Sequence, residues 1–403
     1  MERIVGSRLS VGLSVTAVVA VIVVVLSSST RLAVALALGV AVLGVGATFV
    51  SLTAVRRDHP VATRALISVI VIDLAIFLTF RVSATSNSNV AIGAAMAIVL
   101  LGLSFLTGSS GQISLGNGAF MGVGAFTVGI WAEHHPTTPL VAVLVLATLA
   151  GALVGLVLGI PATRLRGPYL AGMTLAFAVA FGAILNMFSS WTGGDSGLQL
   201  PTAVVAPHWL ASFFGPTASS LTTSSAWLAD ISIVVTGVAL FLMANLFASR
   251  IGRAMRLVRD NDVAAELVGV SLPRARVIAF TVSAAYAALG GALWTLINNS
   301  VSPSTYSFVL SITILSLVVI GGIGTIPGAI MGGIIYAFST GAISWLTAHL
   351  GLNPQGNVAS QLDGIIFGGL LVITILFAPL GIAGLVRHGW RWWRRARPTG
   401  IVQ

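Results

Sequence analysis

Long runs of apolar residues, separated by short polar segments, fill most of this 403-residue chain. Each run is expected to form a helix, because backbone that faces lipid must hydrogen-bond within its own segment. Twelve runs are candidate membrane crossings, near residues 11–27, 32–55, 64–81, 90–107, 113–132, 139–160, 168–190, 229–248, 276–297, 307–323, 326–349 and 361–379. The pattern predicts an all-α, polytopic membrane helical bundle of about 10–12 transmembrane segments, in which some segments are discontinuous.

Two glycine-rich segments interrupt this pattern at predicted membrane depth. Residues 108–129 read GSSGQISLGNGAFMGVGAFTVG, and residues 321–333 read GGIGTIPGAIMGG. Glycines at helical spacing can be packing positions, but Gln112 and Asn117 are costly in hydrocarbon unless they pair or line a polar cavity. Because many transporters hold their substrate at broken helices, the first segment is predicted to line a substrate pathway. The predicted pathway residues are Gln112, Ser114, Gly116, Asn117 and Phe120.

The composition is that of a membrane protein. Hydrophobic residues make up 57% of the chain and charged residues 7%, whereas a soluble domain is about a quarter charged. The net charge of +10 is explained by basic cytoplasmic loops, so no nucleic-acid partner is expected. The chain has no cysteine, and its six histidines show no metal-binding spacing. No Ser/His/Asp set or P-loop is visible, so we expect neither catalysis, nor a metal, nor a cofactor in this chain.

The arginines predict the orientation. All 20 basic residues are arginine. If the N-terminus lies inside and the runs alternate, only Arg31 and Arg81 fall outside, as the preference for positive charge on the cytoplasmic side requires. The prediction is a multi-pass protein of the cytoplasmic (inner) membrane. Both termini and the segments 56–64 and 249–276 are then cytoplasmic, and the segment 191–228 is external.

The segment 249–276 carries six arginines between two apolar runs. Apolar residues recur among its charges, and Gly269 followed by Leu272 and Pro273 should end a short helix. Such a helix either lies on the membrane surface without a partner or docks a partner. The basic, tryptophan-rich tail 381–403 is expected to bind anionic lipid headgroups.

Five stretches between about residues 90 and 380 carry a family resemblance. They are GQISLGNGAFMGVGAF (111–126), LRGPYLAGMTLAFA (165–178), TGGDSGLQLP (192–201), SRIGRAMRLVRDNDVAAELVGV (249–270) and SPSTYSFVLSITILSLVVIGGIGTIPGAIMGG (302–333). In this order they resemble the LivM-type permease subunits of branched-chain amino acid ABC transporters. The resemblance implies import of leucine, isoleucine and valine. It also implies a second homologous permease subunit, two cytoplasmic ATPases that bind ATP and magnesium, and an extracytoplasmic substrate-binding protein.

On this resemblance, the segment 249–276 is the loop that couples the permease to the ATPases. The residues that match the Ala-Ala-x-x-x-Gly core of the permease loop motif, with the residue before it, are Val263, Ala264, Ala265 and Gly269. Val263 stands where the motif usually has Glu. The family usually shows Gly-His-Ala-Ala-Phe where this chain has Gly-Asn-Gly-Ala-Phe at 116–120. The implied mechanism is that the ATPases pull on the loop and tilt a gate near 111–120 and 321–333.

Residues 1–89 are predicted to be an N-terminal transmembrane extension of about three helices, residues 90–380 the permease domain, and residues 381–403 a cytoplasmic tail. Two other functions stay open. Permeases for urea and short-chain amides share much of the pattern. A self-sufficient secondary carrier would need its own ion site, for which Asp73 in the third apolar run is the candidate.

Overall fold

The computed structural model describes residues 84–135, 138–165, 167–200 and 220–349, with the helical positions Gly369, Val372 and Leu376. All of them belong to the unit Thr79–Gln403, one of two compact units of the chain, the other being Met1–Leu78. Several predictions lie outside the described residues. They concern the first three apolar runs, Asp73, the loop 56–64, most of the run 361–379 and the tail 381–403.

Helices account for nearly all of the described residues. They are α1 (Ala84–Ser110), α2 (Asn117–His134), α3 (Leu140–Ala162), α4 (Pro168–Met187), α5 (Ser189–Thr192), α6 (Ser220–Ala248), α7 (Arg250–Asp260), α8 (Asp262–Leu267), α9 (Leu272–Asn298), α10 (Phe308–Gly321) and α11 (Ile326–His349). Two short strands, β1 (Leu198–Gln199) and β2 (Ser300–Val301), pair antiparallel. Single 3-10 turns cover Gly194–Ser196 and Pro303–Tyr306.

Five of the described helices, α1, α3, α4, α6 and α9, are long and apolar enough to cross a membrane. The apolar stretches Phe308–Gly321 and Ile326–Ser339 are shorter. The prediction of an all-α, polytopic membrane protein is therefore confirmed. The predicted run 113–132 becomes a helix only from Asn117 onward, because residues 113–116 are not helical.

The centre of the bundle is α9, which packs against α1, α2 and α3. The contacts are made by small residues, so that main chains approach directly: a Cβ added to Gly124 on α2 would collide with the carbonyl of Ala288 on α9. A Cβ on Gly291 would in turn collide with the carbonyl of Met121. Close approach through small residues is the usual way in which helices associate in membranes.

Most of α1 is enclosed, because α6, α9 and α11 all pack around it. Gly93 of α1 lies against Gly333 of α11, and Thr236 of α6 donates a hydrogen bond of 3.1 Å to the carbonyl of Ala94. The first half of α1 is therefore held from several sides, and the other end of the helix leads into the first glycine-rich segment.

Candidate functional site

The polypeptide leaves helical conformation between Ser110, where α1 ends, and Asn117, where α2 begins. We call residues 111–116 the break. It starts at Gly111 with a φ of 70°, a conformation that only glycine adopts readily. The break lies where the sequence predicted a discontinuous element.

Side chains from two other helices hold the break. The hydroxyl of Thr174 on α4 accepts a hydrogen bond of 2.9 Å from the amide of Leu115. The hydroxyl of Ser311 on α10 accepts one of 2.9 Å from the amide of Gly118, in the first turn of α2. The first amides of a helix lack hydrogen-bond partners within that helix, and Ser311 supplies such a partner to α2. The break is thus a fixed structure at the meeting of α1, α2, α4 and α10.

Two amide side chains at the break are buried without partners. Gln112 is 7% exposed and Asn117 is fully buried. Neither the nitrogen nor the oxygen of either side chain has a hydrogen-bond partner among the described residues. Leaving a buried polar group unpaired costs about 1–3 kcal/mol. Such groups therefore need a reason to be retained, and each of the two side chains offers a donor and an acceptor suited to a polar ligand.

The other predicted pathway residues have different places. Ser114 is fully buried, and its hydroxyl accepts a hydrogen bond of 3.3 Å from the amide of Gly116 inside the break. Phe120 is buried, with its ring centroid 5.3 Å from that of Phe177 and 5.7 Å from that of Phe280. Phe120 therefore belongs to an aromatic cluster beside the break, where it shapes the apolar surroundings of Asn117.

The second glycine-rich segment lies against the first. Gly324, in the turn between α10 and α11, donates its amide to the hydroxyl of Ser104 on α1 at 2.9 Å. It also contacts Gly108 so closely that a Cβ on Gly108 would collide with it. The structure thus brings the two glycine-rich segments together at the end of α1, next to the residues where the resemblance implies a gate.

The basic segment folds into two helices where the sequence predicted one. Asn261 lies between α7 and α8 in extended conformation, and its side chain accepts a hydrogen bond of 3.1 Å from the amide of Ala264. This is an N-cap, which ends α7 and starts α8. At Gly269 the backbone turns to a φ of 82°, directly after α8, where the sequence predicted the helix to end.

The small residues and the apolar residues of α8 point in different directions. Ala265 is fully buried within this chain, so it seats α8 on the helical bundle and is not available to a partner. Val263, Leu267 and Val268 are 67%, 83% and 67% exposed. We call these three residues the α8 patch. Ala264 is half-buried beside it and Gly269 is exposed.

Two arginines of the basic segment cap α6. Arg253 donates to the carbonyl of Ala248 at 2.7 Å, and Arg256 donates to that of Phe247 at 3.2 Å. The last carbonyls of a helix have no partner within it and carry partial negative charge. These arginines therefore complete the end of a membrane-crossing helix, a role that counting charges along the sequence could not reveal.

Two further arginines connect the same segment to other helix ends. Arg259 donates to the carbonyl of Gly108, near the end of α1 and three residues before the break. Arg276 donates to Asp262 of α8 at 2.7 Å and to the carbonyl of Thr163, just beyond α3, at 3.4 Å. Thus α7 is bonded to α1, α8 is bonded to α9, and α9 is bonded to the residue that follows α3. Within the described residues, no group of acidic or histidine side chains could hold a metal ion.

Comparison with known proteins finds a matching family and several similar sequences. The sequence profile described as "Branched-chain amino acid transport system / permease component" matches residues 89–375. The high-affinity branched-chain amino acid transport system permease protein LivM of Escherichia coli K12 is 29% identical over 343 residues, which cover 82% of this chain and 77% of the relative. LivM of Salmonella typhimurium is 29% identical over 334 residues, 78% of this chain and 73% of the relative.

A second kind of relative is LivH of Escherichia coli K12, which carries the same description as a permease protein. It is 27% identical over 213 residues, 53% of this chain and 64% of the relative. The chain therefore resembles two differently named permease proteins of one bacterium. No solved structure matches the chain.

Proposed function

The chain belongs to the family of permease components of branched-chain amino acid transport systems, and from this premise we propose how it works. It is the permease subunit of an ABC importer that carries leucine, isoleucine and valine across the cytoplasmic membrane. The observation that carries the proposal is the break, with the buried and unpartnered side chains of Gln112 and Asn117. An amino acid needs hydrogen-bond acceptors for its ammonium group and donors for its carboxylate. A broken helix supplies both within the membrane.

The importer needs partners for energy and for substrate delivery. We assign the hydrolysis of ATP, with its magnesium, to two cytoplasmic ATPases, since this chain has no P-loop. The resemblance to both LivM and LivH supports a homologous second permease subunit. An extracytoplasmic binding protein completes the assembly and delivers the substrate.

The bonds of the basic segment supply the coupling route. A displacement of α8 by an ATPase acts through Asp262 and Arg276 on α9 and on the end of α3. A displacement of α7 acts through Arg259 on Gly108 and therefore on the break. Switching proteins commonly transmit such shifts as movements of whole helices. The cytoplasmic event is thereby linked to the residues that hold the substrate.

Reconstitution tests the proposal. The chain, its partner permease, the ATPases and the binding protein are placed in proteoliposomes, and uptake of leucine, valine and urea is measured with ATP and with a non-hydrolysable analogue. We expect uptake of leucine and valine that requires ATP hydrolysis. Preferred uptake of urea would assign the chain to the amide permeases. Uptake without ATP, driven by an ion gradient, would make it a secondary carrier.

A further inference from the structure

A cleft of about 250 Å³ opens between α4 and the segment that joins β2 to α10. Its polar wall is made by Asn186 at the end of α4, by Asp195 in the turn that follows, and by Ser304 and Ser307 opposite them. The cleft lies on the side of the membrane that the arginine distribution predicts to be external. None of its residues was among the predicted pathway residues.

The Asp195 carboxylate is held rigidly at the mouth of the cleft. Its turn is built on Gly193, Gly194 and Gly197, whose φ angles of 72°, 57° and 70° suit glycine alone. Gly197 also lies so close to the backbone of β2 that a Cβ would collide with it. The side chain is fixed as well, because Asn186 donates a hydrogen bond of 2.7 Å to one carboxylate oxygen. Among the described residues the other oxygen has no hydrogen-bond partner, so it can accept from a ligand.

The lining fits an amino acid. Asp195 is the one charged residue among the described residues that line the cleft, so the cleft attracts a cation. Val179 and Phe308 form an apolar wall and are 60% and 43% exposed. The hydroxyl of Ser307 makes no capping bond to α10 and can donate to a carboxylate. An ammonium, a carboxylate and an aliphatic side chain thus each find a complementary surface.

The cleft also leads toward the break. On α4, Ala178 lines the cleft and Thr174, one turn earlier on the same face, holds the break. Ser307, the N-cap of α10, lines the cleft, and Ser311, one turn later, holds Gly118 at the start of α2. Both walls therefore lead from the cleft to the residues that hold Leu115 and Gly118, on either side of Asn117.

We propose that this cleft is an outer binding site in which Asp195 receives the ammonium group of the amino acid after its release from the binding protein and before it reaches the break. The proposal rests on the proposed function. It adds a second binding site to the pathway, at which the carboxylate of Asp195 selects substrates that carry a positive charge.

The test is Asp195→Asn in the full reconstituted importer. The amide oxygen still accepts from Asn186, so the turn is kept and only the charge is removed. We expect the maximal rate of leucine uptake to fall about tenfold, since a hydrogen bond to a charged group is lost. The concentration of loaded binding protein that gives half-maximal uptake should not change. The matched control is Glu133→Gln, an exposed acid at the end of α2 outside the cleft, which should leave both quantities unchanged.

A second pair of variants covers the case in which Asp195→Asn does not assemble. Ser304→Arg places a cation opposite Asp195, and its exposed neighbour Thr305→Arg lies outside the cleft. Only Ser304→Arg should lower the maximal rate. Wild-type uptake by both Asp195→Asn and Ser304→Arg overturns the inference and leaves the proposed function standing. A raised half-maximal concentration with an unchanged maximal rate also overturns it, because Asp195 would then contact the binding protein. Failure of the wild-type protein to take up leucine contradicts the proposed function itself.

Discussion

At the scale of single residues, the buried amides of Gln112 and Asn117 distinguish this bundle from a simple scaffold. Other buried polar side chains, such as those of Thr174 and Ser311, accept hydrogen bonds from the backbone. Asn117 lies at the first position of α2 with both polar atoms unpaired. Its side chain is therefore free to bind a ligand, as the proposed function requires, whereas Thr174 and Ser311 hold the backbone in place.

We expect Asn117→Leu to reduce leucine uptake per folded importer by at least tenfold, because one hydrogen-bonded contact with a charged ligand is worth about 1.5–3 kcal/mol. Asn117→His restores the residue that is usual in the family, and it should retain uptake or change the preference among substrates. Uptake of leucine, valine and urea is measured alongside the binding-protein concentration that gives half-maximal uptake, which should stay constant.

Asn87→Leu is the matched control for this prediction. Asn87 is also buried in a helix with an unpaired side-chain oxygen. It lies near the start of α1, about 35 Å along the helix from its end at the break. The Asn87→Leu substitution should alter thermal stability without altering the substrate profile. An unchanged rate and profile in Asn117→Leu would remove Asn117 from the pathway.

Asn117 and Gln112 could be found in the sequence because polar residues stand out in an apolar run. The roles of Thr174, Ser311 and Asp195 could not, because each depends on a neighbour that is distant in sequence. Asp195 had one available signal, its position between glycines in TGGDSG. Glycines on both sides of an acid indicate a tight turn that presents a carboxylate, but nothing in the sequence shows what the turn faces.

At the scale of elements, α8 combines a buried side that seats it with an exposed apolar side. The resemblance directed attention to the small residues of the motif, yet Ala265 is enclosed by this chain. Introducing arginine at Ala265 would therefore disrupt the packing of α8 as well as any contact. The α8 patch provides the cleaner test, since its side chains contribute little to the fold.

Leu267→Asp should weaken binding of the ATPases at least tenfold, a change of about 1.4 kcal/mol, because it buries an unpaired charge in an apolar contact. Co-purification of the ATPases and their stimulated hydrolysis in proteoliposomes measure the effect. Leu257→Asp on α7 introduces the same charge at a position that is 37% exposed and outside the α8 patch. It should leave binding near the wild-type value. Equal binding by both variants would exclude the α8 patch as the contact.

The sequence could predict a helix in this segment and its end at Gly269, because both follow from local patterns. The division into α7 and α8 could not be predicted, because Asn261 could equally lie inside a single helix. Only its hydrogen bond with the amide of Ala264 shows that it caps α8. The bonds from Arg259 and Arg276 were also missed. Their acceptors are backbone carbonyls at the ends of distant helices, and no sequence pattern marks these carbonyls.

At the scale of the whole molecule, the hydrogen bonds of the arginines show which helices end on the same side of the bundle. Arginines of the basic segment bond near the ends of α1, α3 and α6, so these three helices end on the same side of the bundle. Positive charge on that side favours the cytoplasm. The number of apolar runs and the class of fold followed from hydrophobicity alone, whereas the order of packing around α9 depends on which small residues face one another.

Single-cysteine labelling measures the topology, and the chain has no native cysteine. We expect Asp260→Cys, at the end of α7, to resist an impermeant maleimide added to intact cells and to react after the membrane is opened. Thr305→Cys should react from outside in intact cells. Labelling of position 260 from outside would invert the orientation and would also reverse the side from which the Asp195 cleft is entered.

The contacts of Gly124 with Ala288 and of Gly291 with Met121 bear on how the importer moves. Where main chains touch directly, no side chain lies between the two helices. A side chain there could change its rotamer and so allow the helices to slide past each other. We therefore expect α2 and α9 to travel as one solid block. By contrast, α4 buries only one face, through Leu170, Thr174, Ala178, Phe181 and Leu185. In alternating access we expect α4 to move relative to this block, so that the cleft beside α4 opens and closes during the transport cycle.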